Sequence, residues 1–157
     1  MNRTNETYKS QFIVLQNFMK SNHKIKVRVK CGFEDAWYPA LNIINIDGNL
    51  KWRERFFTLL HEAGHALCDI ADNDEKSKVC FAKSNPQKCN SKKSFVHTIN
   101  NEIMAWNKGK EISEMMNFSL NEEDYESYMT RCIMSHVKYG LKEVYGKEIN
   151  IDSIKPC

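Results

Sequence analysis

TLLHEAGHALCD, residues 58–69, places two histidines four positions apart, with a glutamate directly after the first. On an α-helix, side chains at positions i and i+4 lie one above the other on the same face. His61 and His65 can therefore offer two imidazole nitrogens to one metal ion, and Glu62 lies beside them. The stretch predicts a long helix that carries a candidate metal site.

The order of these three residues is typical of zinc chemistry. Imidazole nitrogens bind zinc at about 2.0–2.1 Å, and a bound zinc lowers the pKa of water to about 7. A glutamate beside the first ligand can take the proton from that water and pass it to a leaving amine. The motif therefore predicts Zn²⁺ as the cofactor, His61 and His65 as ligands, and Glu62 as the general base.

A chance pair of histidines on a solvated helix is the alternative interpretation. A solvated face would more naturally carry Lys or Gln than Ala63 and Gly64, which lie between the histidines. Residues this small also allow another element to close over the site. The helical period around the motif and the β-rich runs before it favour a metal site.

A catalytic zinc needs a third protein ligand and an open fourth position. The extended motif HExxHxxGxxH would require Gly at position 68 and His at position 71, and Cys68 and Ala71 exclude it. Asp69 and Asp72 remain candidates on the same helix, although a straight helix carries both of them far from His61.

The segment NNEIMAW, residues 100–106, offers a ligand from a second helix. Glu102 begins an amphipathic pattern, and Ala105 one turn later is small enough to let two helices approach. Trp106 can pack beneath the site. The alternative for Glu102 is a solvated glutamate that is stabilised by the helix dipole. His97 is a second candidate ligand, although it could instead contact substrate in the cleft or lie on the surface.

Outward from the motif, the hydrophobic pattern predicts a mixed α+β fold in one domain, residues 1–157. The polar stretch 73–94, broken by Pro86, is interpreted as a long loop at the rim of the site. Asn117 is a candidate helix end, and SLNEED supplies caps for a last helix. The predicted elements are a helix over 6–20, a half-buried edge strand over 24–30, a loop over 31–40, a strand over 41–47, and helices over 52–72, 95–116 and beyond 120.

RERFFTLLHEAGHAL, residues 53–67, followed by NEIMAW, residues 101–106, resembles the ImmA/IrrE-like zinc metallopeptidases, especially the small forms of phages and mobile elements. The resemblance covers roughly residues 25–116. It implies a minimal zincin-like domain, in which a small sheet packs on the active-site helix and a following helix supplies a glutamate as third ligand. The metal ligands would then be His61, His65 and Glu102. The matching positions are Arg55, Phe57, His61, Glu62, His65, Glu102 and Ala105.

Three features depart from that family. Trp106 stands where many members carry other residues, the connection between the two ligand helices is long, and no helix-turn-helix region flanks the domain. A DNA-binding role copied from larger relatives is therefore not expected. The net charge of +3 is spread through the chain without a basic stripe, which also argues against a nucleic-acid partner.

A peptidase also needs a group that stabilises the oxyanion formed on the attacked carbonyl. His136 and Tyr139, in CIMSHVKYG, are candidates for this transition-state stabiliser, although either could be a packed or surface side chain. Cys80 and Cys89 are too far apart for a usual cysteine metal pair, so free thiols are expected. Cys68 is expected to be a small buried hydrophobe.

No apolar run approaches the length of a membrane span, and the polar N-terminal residues have no signal-peptide pattern. These features predict a cytoplasmic protein in which six cysteines are reduced. The preferred function is a zinc metalloendopeptidase acting on an intracellular protein, with an extended peptide added to the sheet edge. The alternative is a zinc-binding interaction module that contacts a partner protein without proteolysis.

Overall fold

The structure is a computed structural model that describes residues 3–74 and 92–145. The described part of the chain forms four helices and a three-stranded sheet. This arrangement confirms a mixed α+β fold. None of the described helices is both long and apolar enough to cross a membrane. In chain order the elements are α1 Arg3–His23, β1 Lys26–Lys30, β2 Ala36–Tyr38, a 3-10 turn Pro39–Leu41, β3 Ile43–Asp47, α2 Trp52–Asp74, α3 Lys92–Met115 and α4 Glu122–Tyr145.

The sheet has the order β1-β3-β2, so the strand that comes last in the chain lies in the middle. β1 pairs with β3 in parallel, and β2 pairs with β3 antiparallel. The predicted edge position of β1 is confirmed. Val27 is the one buried residue of this strand, and the predicted alternation stops there, because Val29 is exposed like the cations. The prediction of a plain loop over 31–40 was wrong, because β2 forms there. A three-residue strand followed by Pro39 is too short to produce an alternating pattern.

α2 is the central element, with α1, the sheet and α3 packed around it. It fills the centre because the helical period brings large apolar side chains to several of its faces. α1 contributes Phe12, Leu15 and Met19, and β3 contributes its inward-facing isoleucines. The fully buried side chains of this core include Leu15, Met19, Ile25, Ile44, Ile46, Phe56, Phe57, Leu59 and Leu60.

The predicted boundaries between α3 and α4 agree with the structure. Asn117 has a φ of +53°, the left-handed conformation that commonly ends a helix. The side-chain carbonyl of Asn121 accepts a hydrogen bond from the backbone N–H of Asp124 at 3.0 Å, which caps α4. α2 and α3 extend into both ends of the predicted 73–94 loop. Its remaining residues, 75–91, lie outside the described part of the chain, and so does the expectation for their two cysteines.

Arg55 joins the turn after β3 to the first turn of α2. Its guanidinium donates hydrogen bonds to the backbone carbonyls of Leu50 and Gly48, and it lies 4.6 Å from the centre of the Trp52 ring. These contacts are far along the helix from the two histidines. One of the positions matched in the resemblance therefore has a structural role, since Arg55 fixes where α2 begins.

Arg55→Ala is expected to lower the free energy of unfolding by about 2 kcal/mol, because two charge-assisted hydrogen bonds and the ring contact are lost. Arg53→Ala is the matched control, since Arg53 forms an exposed ion pair with Asp124 at 3.3 Å. Surface pairs of this kind contribute at most about 1 kcal/mol. Urea denaturation measures both variants, and equal losses would show that Arg55 does not hold the turn.

Candidate metal centre

The backbones of α2 and α3 touch where Gly64 meets Ala105. A Cβ atom added to Gly64 would lie 2.0 Å from the backbone oxygen of Ala105, and one added to Gly109 would lie 2.8 Å from the oxygen of Leu60. Only residues without a side chain permit so close an approach. The crossing brings the face of α3 that carries Glu102 against the face of α2 that carries the histidines.

His61, His65 and Glu102 form one cluster at this crossing. One ligand atom from each residue lies within 4.8 Å of the others, and together the three could hold a metal ion. His61 Nε2 lies 3.2 Å from Glu102 Oε2, and His65 Nε2 lies 3.5 Å from Glu102 Oε1. Two ligands of a tetrahedral zinc with bonds of about 2.0–2.1 Å are about 3.3 Å apart. The donor set and its spacing therefore fit zinc.

The pKa shifts of His61 and Glu102 favour the ligand forms that a metal requires, and that of His65 favours its protonated form in the metal-free protein. Burial lowers the pKa of His61, which favours the neutral imidazole that a metal requires. Burial also lowers the pKa of His65, but the hydrogen bond and charge of Glu102 outweigh it and raise this pKa. Burial would raise the pKa of Glu102, but its hydrogen bonds to both histidines hold it far below the ordinary value. Glu102 is therefore a carboxylate at neutral pH.

Glu62 points into the same site without belonging to the cluster. Its side chain is 8% exposed, and Oε1 lies 3.8 Å from His61 Nε2. Burial raises its pKa to about 7, against the opposing effects of His65 and of a hydrogen bond from the Trp37 backbone N–H. A carboxyl group with this pKa can both accept and release a proton near neutral pH.

A cleft of about 410 Å³ opens onto the cluster. Trp37, on β2, forms one wall and is fixed to α2, since its indole N–H donates to Asp69 Oδ2 at 2.9 Å. The cleft therefore lies between the sheet and the helices, and Glu62 is one of its lining residues. The residues that line it are Asp35, Ala36, Trp37, Pro39, His61, Glu62, His65, Asp69, Glu102 and His136.

The two candidate stabilisers lie in different surroundings. His136, on α4, lines the cleft, and its Nε2 lies 3.4 Å from Glu102 Oε2. Tyr139, three residues later, is 68% exposed and is not among the cleft residues. The position of His136 therefore suits contact with a ligand, and that of Tyr139 does not.

The other candidate ligands with described side chains, His97 and Asp69, lie outside the three-residue cluster. His97 faces Asn101 on its own helix, with Nε2 3.3 Å from the side-chain nitrogen. Asp69 reaches the cleft but holds the Trp37 indole, and the side chain of Asp72 lies outside the described residues. Cys68 is partly buried and is not in a disulfide bond with any described residue. Among the candidates whose side chains the structure describes, Glu102 alone joins the histidines.

The sequence did not predict that β2 and Asp35, directly before it, form part of the cleft wall. Asp35 and Trp37 line the cleft, and Asp35 accepts a hydrogen bond from the Asp47 backbone N–H at 2.6 Å. Burial raises the pKa of Asp35. An acid and an aromatic residue two positions apart would share one side of a strand, but that signal requires β2 to be recognised first.

Metal-free Glu62→Gln protein is expected to gain stability over the wild type as pH rises. A carboxyl group whose pKa is higher in the folded than in the unfolded protein stabilises the fold below its unfolded pKa, here near 4.5. This stabilisation is lost as the pH rises through its folded pKa of about 7. The neutral amide has no such loss. The difference in unfolding free energy should therefore grow by about 3 kcal/mol between pH 4.5 and pH 8.

Urea denaturation in the presence of a chelator measures this difference at each pH. Glu111→Gln is the matched control, because its side chain is 64% exposed and forms only a surface pair with Lys108. Stability curves for wild type and Glu62→Gln that stay parallel across this range would contradict a raised pKa for Glu62.

Comparison of the chain with models of protein families, with curated proteins and with solved structures gave no match. The function of the site therefore has to be inferred from its own residues and their arrangement.

Proposed function

We propose that the protein is a zinc metallopeptidase with a zincin-like fold, akin to the ImmA/IrrE-like enzymes, that hydrolyses peptide bonds of an intracellular protein. The observation that supports this most is the combination of a three-ligand cluster with a buried glutamate of raised pKa, both facing one open cleft. A purely structural zinc would usually close all four positions and would have no use for Glu62.

Zinc held by His61, His65 and Glu102 would supply Lewis acidity and a nucleophilic hydroxide at neutral pH. Glu62 accepts the proton that the nucleophile loses and delivers it to the nitrogen of the leaving amine. Burial, which raises the pKa of Glu62, favours the return of this proton to the leaving group. His136 at the cleft wall donates a hydrogen bond to the oxygen of the attacked carbonyl, which gains negative charge.

The substrate in this proposal is an extended peptide. β2 is an edge strand, and its residues Ala36 and Trp37 line the cleft together with the histidines. A peptide that pairs with a strand edge is held straight by backbone hydrogen bonds, with alternate side chains directed to opposite faces. Such a peptide would pass a carbonyl in front of Glu62. Neither a nucleic acid nor a membrane is needed as a partner.

An interaction module that contains a closed metal site is the second candidate. The short distance of 3.4 Å between His136 and Glu102 favours it, because His136 could supply a fourth ligand. Such a protein would bind its partner equally well as Glu62→Gln. The open cleft and the buried Glu62 favour the peptidase.

The decisive experiment begins with metal analysis of the purified protein, which should contain about one zinc per chain. New protein N-termini are then compared between cells that express the wild type and cells that express Glu62→Gln. Cleavage products that require the wild type identify the substrate and its cleavage site. Zinc-containing protein that generates no N-terminus beyond those of Glu62→Gln would support the interaction module instead.

A further inference from the structure

Trp106 packs directly beneath one member of the cluster. Its indole is 1% exposed and lies 4.2 Å from the His61 ring, with an angle of 20° between the two planes. This is a stacked arrangement in which the faces of both rings are in contact. The side chain comes from α3, one turn after Glu102, so the helix that supplies the carboxylate also supplies the support for His61.

The indole is itself fixed by α4. The Tyr125 hydroxyl donates a hydrogen bond to the backbone oxygen of Trp106 at 2.9 Å. The rings of Tyr125 and Tyr128 meet the indole edge to face, with centroid distances of 5.4 Å and 5.9 Å. Since packed interiors resist rotation of a large ring, Trp106 presents a rigid surface to His61.

His61 lacks the support that metal-binding histidines usually have. Such a histidine nearly always donates its second ring N–H to a carboxylate, a carbonyl or water, and this bond fixes the plane of the ring. His61 Nδ1 is buried and has no hydrogen-bond partner among the described residues. With that hydrogen bond absent, the stack on Trp106 acts together with the Glu102 contact at Nε2 to fix the plane of the imidazole.

We propose that Trp106 is a positioning residue for the metal, which holds the His61 ring so that Nε2 faces the ion. An imidazole that donates electrons to a cation becomes more positive, and the face of an indole attracts positive charge. The stack is thus stronger in the metal-loaded protein than in the empty one, so it raises metal affinity. The inference rests on the metal site of the proposed function and not on its peptidase activity.

Zinc affinity, measured by competition with a chelating dye, tests this role. Trp106→Leu removes the planar surface and is expected to weaken zinc binding by about 10- to 100-fold, the usual effect of losing an orienting partner. Trp106→Phe keeps a flat ring and should remain close to the wild type. Trp52→Leu makes the same exchange at the start of α2, against Phe12, and should leave affinity unchanged.

Cobalt provides a second readout that needs no destabilising variant. Co²⁺ bound by His61 should quench the adjacent Trp106, so the loss of tryptophan emission on cobalt binding should be larger in the wild type than in Trp106→Phe. Equal losses in these two proteins would overturn the inference, as would unchanged zinc affinity in Trp106→Leu. Wild-type protein that binds no zinc would overturn the metal site itself, which separates the two failures.

Discussion

Glu62→Gln is expected to lower peptide hydrolysis by about 10²- to 10⁴-fold while zinc content stays at the wild-type level. The amide has nearly the shape of the carboxylate, so the buried site keeps its packing, but the amide cannot accept a proton. Glu62 is not one of the three clustered ligands, which is why metal binding should be preserved. The measurement is kcat/KM on a peptide that spans a cleavage site found in the comparison of N-termini.

Two further Glu→Gln variants serve as comparisons for this result. Glu102→Gln removes the charged ligand, so zinc affinity should fall by at least about 10²-fold and hydrolysis should fall with it. Glu111→Gln, on the exposed side of α3, should change neither quantity. Full hydrolysis by Glu62→Gln would show that another group moves the proton.

Gly64→Ala is expected to lower the free energy of unfolding by about 3 kcal/mol, the upper range for an overpacked interior. The new Cβ would lie 2.0 Å from the backbone oxygen of Ala105, and a backbone atom cannot rotate away. The two helices would have to separate, which would also draw Glu102 away from the histidines. Thermal denaturation and zinc affinity should therefore both change in this variant.

Gly140→Ala is the comparison for this substitution. Its Cβ would also be close to another residue, at 2.2 Å, but the neighbour is the ring of Phe95 near the start of α3. A side chain that is only partly buried can turn aside, and alanine is better in a helix than glycine by about 1 kcal/mol. Its net effect should be small, and a loss equal to that of Gly64→Ala would contradict the importance of the backbone contact.

The helices and the pair of histidines could be predicted from the sequence because both depend on local geometry. A period of 3.6 residues marks a buried face without any knowledge of what covers it. The same geometry puts His61 above His65 wherever the helix lies. The expectation that small residues would let two helices approach is confirmed at Gly64 and Ala105, and this approach brings Glu102 to the cluster.

The wall of the cleft and the support of His61 depend on contacts between segments far apart in the chain. β2 exists because Ala36–Tyr38 meets a strand that follows it, and three residues carry too little periodic signal to show this. The sequence placed Trp106 beneath the site but could not show which ligand it touches. That contact depends on the crossing of α2 and α3 and on the tyrosines of α4.

Both edges of the small sheet are built in ways that oppose self-association. β1 exposes three cationic side chains, and the side-chain amide of Gln16 donates to its backbone at Val27. β2 is three residues long, and Pro39 directly after it has no N–H to offer. Charge, shortness and proline are the devices by which proteins prevent their sheets from joining edge to edge. The edge proposed for peptide binding can therefore accept a short extended segment without becoming a template for aggregation.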